Sequence, residues 1–80
     1  MVYKPKTRIE DVAIAAALMS WGYKIITATV DFNGTMFFEV YGTIDTDRAI
    51  RKYESKRMYV QAKTFADNIK LLVNRAQLNS

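Results

Sequence analysis

The chain has 80 residues, half of them apolar and a quarter charged, with three Gly and one Pro, which suits one folded domain. It has no cysteine and no histidine, so a disulfide framework, a thiolate metal site and a Ser or Cys catalytic triad are excluded. Twelve Lys and Arg against eight Asp and Glu leave a net charge of +4, which favours anionic partners and equally serves to keep a small domain soluble.

The first six residues read as an N-terminal arm. The start is basic like the front of a signal peptide, but the apolar run Val12 to Met19 holds four alanines, follows a helix cap and lacks a cleavage site. It is also far shorter than a membrane span. A soluble cytoplasmic protein with no membrane partner is expected.

Thr7-Arg8-Ile9-Glu10 has the form of a capping box, and Glu10 and Asp11 suit the positive end of a helix dipole. A helix is therefore predicted from about Arg8 to Trp21, closed by Gly22 in the left-handed conformation. Past Asp11, Ser20 is its only polar residue. A surface helix of a small monomer shows one wet face, and an 80-residue chain rarely buries a helix all round. A cover from a second copy is the expectation.

Tyr23 to Val30 and Met36 to Tyr41 read as strands joined at Asn33-Gly34. A two-residue loop would throw the apolar sets Ile26, Ala28, Val30 and Met36, Phe38, Val40 onto opposite faces. The loop Phe32-Asn33-Gly34 instead pairs Val30 with Met36 and Ala28 with Phe38, keeping both sets together. The outer face then carries Thr27, Thr29, Phe37, Glu39 and Tyr41.

Gly42 ends the hairpin, and Asp45 or Thr46 is expected to cap a second helix running to about Ser55 with a thin stripe of Ala49, Ile50 and Tyr53. Residues 56–59 connect it to a third helix from Gln61 to about Leu78. Its apolar sector holds Ala62, Phe65, Ala66, Ile69, Leu72, Val73 and Ala76, with Leu71 opposite. Gln61 stands where a capping Asp or Asn is usual. Residues 79–80 form a tail. The fold class is α+β, helix, β-hairpin, helix, helix, in two layers with the helices packed on a small antiparallel sheet. Because two strands alone are marginal, either helices cover the sheet or it extends across a partner.

Arg48, Arg51, Lys52, Lys56 and Arg57, interrupted by Glu54, form the densest basic cluster, flanked by Tyr53 and Tyr59. Guanidinium and ammonium groups so presented hold phosphates, which makes Arg48, Arg51, Lys52, Tyr53, Arg57 and Tyr59 the candidate ligand-binding residues. The bland alternative is a solvated helix face beside a core tyrosine. Phe37 and Tyr41 suit base stacking, or packing against another subunit. Val12, Ile14, Leu18, Trp21, Phe37, Tyr41 and Leu71 are the candidate interface of a homo-oligomer, most simply a two-fold dimer. Asp45-Thr46-Asp47 lacks the further ligands of a calcium loop, and no glycine-rich phosphate loop occurs. No metal, cofactor or catalytic residue is assigned.

The apolar helix ending in Trp21-Gly22-Tyr23, the strand Met36-Phe37-Phe38, and Tyr53 followed by Val60-Gln61-Ala62-Lys63-Thr64-Phe65 resemble a small family of domains of unknown function found in phages and prokaryotes. The likeness runs from about Thr7 to Leu72. It implies an α+β fold and an origin in a virus or mobile element, hence the host cytoplasm, and it supplies no activity and no catalytic residues. The expected function is a non-enzymatic, phage-type accessory protein that binds an anionic, nucleotide-like ligand as a homo-oligomer, to counter host defence. Alternatives are a factor that docks on and inhibits a host or viral protein through an acidic surface, or a nucleic-acid binder using residues 48–57.

Overall fold

Lys6–Ile9 includes two β-branched residues, Thr7 and Ile9, which turn to the less exposed side while Lys6 and Arg8 stay exposed, and it forms a strand, β1, where a helix start is predicted. The computed structural model describes residues 5–56 and 58–79. After β1 come α1 (Val12–Ser20), β2 (Thr27–Val30), β3 (Met36–Tyr41), α2 (Ile44–Glu54) and α3 (Ala62–Leu78). The expected α+β class is observed, with a three-stranded antiparallel sheet in the order β1-β3-β2 instead of a hairpin alone. No helix is long and apolar enough to cross a membrane among the described residues.

The capping box at Thr7 is overruled by pairing. Thr7 lies opposite Val40, and Ile9, opposite Phe38, sinks into the core. The helix cap passes to Asp11, whose carboxylate accepts the Ala13 N–H at 2.8 Å. A polar residue ahead of an apolar run occurs twice here, and the copy that leaves Thr7 and Ile9 free to join β3 satisfies more backbone groups.

The hairpin follows its expected register, Val30 opposite Met36 and Ala28 opposite Phe38. Gly34 adopts φ +80°, the left-handed position that a three-residue loop requires. The Asp31 carboxylate accepts the Asn33 and Thr35 N–H groups at 2.9 and 3.0 Å and holds the turn. Strand β2 is shorter than predicted. Its pairing starts at Thr27, so Ile25, outside the alternation, is the isoleucine that reaches the core, while Ile26 is half-buried.

Helix α1 is covered by its own chain. Ala15, Ala16, Ala17 and Leu18 follow one another around the axis, each at most 1 % exposed, and no residue of the helix is exposed. Alanine side chains are short enough for α2, α3 and the sheet to reach one helix together. The cover assigned to a second copy is thus supplied within the fold. Leu18 is wholly buried and unavailable to a partner, and Val12 and Ile14 pack against the core. Phe38, Leu18 and Leu72 are the largest of the fully buried apolar side chains, each contributing about 1.5–3 kcal/mol by burial. Ser20, the polar residue of α1, donates to the Ala16 carbonyl and accepts from the Asn68 amide at 2.9 Å, tying α1 to α3.

Thr43 caps α2, in place of Asp45 or Thr46: its hydroxyl accepts the Thr46 N–H at 3.1 Å. Thr46 is buried and donates to the Tyr41 carbonyl, joining the helix to the end of β3. In α3, Gln61 makes no side-chain cap bond, Leu72 and Ala76 are buried, and Leu71 is exposed as expected. Asn79, beyond the helix, donates its amide to the Ala28 carbonyl and accepts from the Thr29 hydroxyl.

Two glycine exchanges test this packing with opposite signs. A Cβ on Gly42 would lie 2.5 Å from the Thr7 hydroxyl, so Gly42→Ala must displace the Thr7 side chain and should cost ~1–3 kcal/mol in denaturant unfolding. Lys56 ends α2 at φ +62°, a conformation costly for a residue with a Cβ. Lys56→Gly should therefore stabilise the protein by about 1 kcal/mol, read as a higher unfolding midpoint.

Candidate ligand-binding site

The basic cluster divides once it is placed on α2. Arg48 and Lys52, one helical turn apart, share a face, and that face meets the end of α1. Trp21 is the residue on which α1 stops, with Gly22 following at φ +94°. Its indole N–H donates to the Tyr59 carbonyl at 2.9 Å, fixing the ring, and the Lys52 ammonium stands 5.3 Å from the ring centroid. Tyr23 follows and donates its hydroxyl to the Asp45 carbonyl at 3.2 Å, which anchors the α1 end to the first turn of α2. Trp21, Tyr23, Asp45, Arg48, Ala49 and Lys52 line a hollow of about 200 Å³.

The structure therefore brings together two of the cations expected to bind a ligand and a tryptophan expected at an interface. Arg51 is exposed and is not among the residues lining this hollow. Tyr53 is half-buried, and Tyr59, though its side chain is exposed, enters through its backbone carbonyl. Arg57 lies outside the described residues. Tyr23 and Asp45 were not singled out as site residues by the sequence, because the first reads as a core or interface aromatic and the second as a helix cap. Between described residues the salt bridges engage Arg8 and Lys63, and none neutralises Arg48 or Lys52.

A second hollow, of about 320 Å³, lies beyond Tyr23, with Gly22, Lys24, Tyr41 and Thr43 in its lining. Of the expected interface, Trp21, Tyr41 and Leu71 stay accessible, at 40 %, 41 % and 43 % exposure.

Phe37 and Tyr41 do share the outer sheet face, but Phe37 has a neighbour there. The Arg8 guanidinium lies 4.1 Å from its ring centroid and bonds the Asp31 carboxylate at 2.7 Å and Glu10 at 3.1 Å. Arg8 thus straps β1 to the hairpin turn across β3. The Arg8 hydrogen bond, then the backbone N–H bonds from Thr35 and Asn33, hold the Asp31 carboxyl below its ordinary value of 3.8, while Asp31 raises Arg8.

No family model, curated protein or solved structure matches this chain.

The lowered Asp31 carboxyl has a measurable consequence. Its folded pKa lies below the unfolded one, so its contribution is complete above 3.8 and is lost as pH falls through the folded value. Thermal melts of Asp31→Asn should accordingly change less than those of the parent between about pH 5 and pH 2. Equal acid sensitivity in the two proteins would show that the strap contributes nothing.

Proposed function

We propose that this chain is a small non-enzymatic binding protein that takes an anionic ligand carrying a ring, of nucleotide type, between Trp21 and α2. The observation that carries the reading is the Lys52 ammonium over the Trp21 ring with Arg48 one turn before it. A nucleotide needs a cationic pair for its phosphate and a flat apolar surface for its base. The end of α1 supplies the second beside the first. Asp45, at the same hollow, adds an acceptor for the hydroxyl donors of a sugar. A chain without histidine or cysteine lacks the commonest catalytic base and the strongest nucleophile, which supports binding without chemistry.

Calorimetric titration with ATP, ADP and AMP tests the reading. At least one should bind, and the double variant Arg48→Glu, Lys52→Glu should weaken that binding by about a hundredfold or more, since both phosphate contacts become repulsive. The melting temperature should stay within a few degrees of the parent, because both side chains are exposed. Undiminished binding by the double variant, or no binding of any of the three by the parent, removes the proposal.

A further inference from the structure

We infer that Lys52 sets the specificity of this site: its ammonium covers the Trp21 ring, and only a ligand whose phosphate draws the ammonium away gains that ring for stacking. The site therefore takes phosphorylated rings and discriminates against the same rings without phosphate. The inference rests on the proposed anion site at Trp21, Arg48 and Lys52 and names what that site selects.

Lys52 and a stacked base need the same space. Stacked rings lie with their centroids ~4.5–7 Å apart. The Lys52 ammonium stands over the Trp21 ring at 5.3 Å from its centroid, inside that range, and both residues line one hollow. One of the two must give way, and the ring is the fixed partner. Its indole N–H is bonded to the Tyr59 carbonyl at 2.9 Å, whereas Lys52 is an exposed, four-carbon side chain on α2. Among the described residues no carboxylate holds the Lys52 ammonium in a salt bridge, so the Trp21 ring is what it leaves.

Size and energy point the same way. With Lys52 over the ring the hollow measures about 200 Å³, below the ~300–1,000 Å³ usual for small-molecule pockets, and withdrawal of the lysine enlarges it. An ammonium over an exposed ring is weakly held, so uncovering Trp21 costs a ligand about two- to fivefold in affinity. A charge-assisted bond to phosphate is stronger than this contact, and Arg48, one turn before Lys52 on the same hollow, shares the anion. A phosphorylated ring thus regains more than it loses. An uncharged ring meets the cost and has nothing with which to recruit the lysine.

Two measurements test this. In the proton NMR spectrum of the protein alone, the Lys52 side-chain protons nearest the ammonium should lie upfield of ordinary lysine values, because the Trp21 ring shields them. Saturation with whichever of AMP, ADP and ATP binds best should abolish that shift. The single tryptophan lies in the hollow, so its fluorescence reports binding directly. That nucleotide and adenosine are titrated against the parent, Lys52→Ala and Arg48→Ala, with melting curves to show that each variant is folded. Lys52→Ala should bind adenosine about two- to fivefold tighter than the parent and the nucleotide about tenfold weaker. Arg48→Ala should lose nucleotide affinity and gain none for adenosine. Adenosine bound no tighter by Lys52→Ala, an equal gain in Arg48→Ala, or a Lys52 shift that is absent at the outset or survives nucleotide binding overturns the inference and leaves the anion site standing. Binding of none of the three nucleotides by the parent overturns both.

Discussion

The close approach that Ala15, Ala16 and Ala17 permit on several sides of α1 is the constraint from which the rest of the molecule is built. A helix with larger side chains at these positions would hold α2, α3 and the sheet apart, and an 80-residue chain has no further element to fill the space. With alanine there, the neighbours close on the helix, and Leu18, Phe38 and Leu72 complete one core. The same closeness decides where the helix end comes to rest. Trp21 and Tyr23 emerge against α2 within reach of Lys52 and Asp45, because α2 has been drawn in against α1. The aromatic surface beside the cations is thus a product of packing, with the Tyr59 carbonyl and the Asp45 carbonyl serving as fixed points.

Local chemistry made parts of this fold legible in the sequence. The hairpin is the clearest case. Its register depends on Gly34 and on two short alternating stretches that flank it, all close in the chain, and one slip would put Phe38 in water. Helix α3 is legible for a similar reason, since its apolar sector recurs at the helical period over most of its length. Strand β1 was hidden because Lys6–Ile9 contains the letters of a helix cap, and only a partner far along the chain, β3, makes a strand of them. Periodicity likewise reports that α1 is apolar on all sides but not what lies against it. A second copy and three packed neighbours leave the same pattern in the helix.

The candidate site was legible only as composition. Arg48, Arg51 and Lys52 stand out as a basic run, yet which of them share a hollow depends on the side of α2 that α1 leaves open. Tyr23 and Asp45 carry no sequence signal of a site, because each has an adequate local explanation, as core or interface aromatic and as cap. The Arg8–Asp31 strap was missed for the same reason as β1. One end is on β1 and the other in the turn just past β2, which is not its neighbour, and the guanidinium reaches across Phe37 of the strand between them.

Asn79 has a role larger than its place after the last helix suggests. Strand β2 lies at the border of the sheet, and a border strand with unused carbonyl and amide groups is a template on which another chain can lay a strand of its own. The Asn79 amide takes the Ala28 carbonyl, and its own carbonyl takes the Thr29 hydroxyl, so the template is blocked by a side chain and a backbone group from within the same molecule. The opposite border is β1, only four residues long and bearing the exposed Lys6, a short charged edge that disfavours a neighbouring strand. Both borders therefore resist growth of the sheet from one molecule to the next. Association of this chain, with itself or with another protein, is steered towards side-chain surfaces and away from the open-ended strand stacking that leads to fibres.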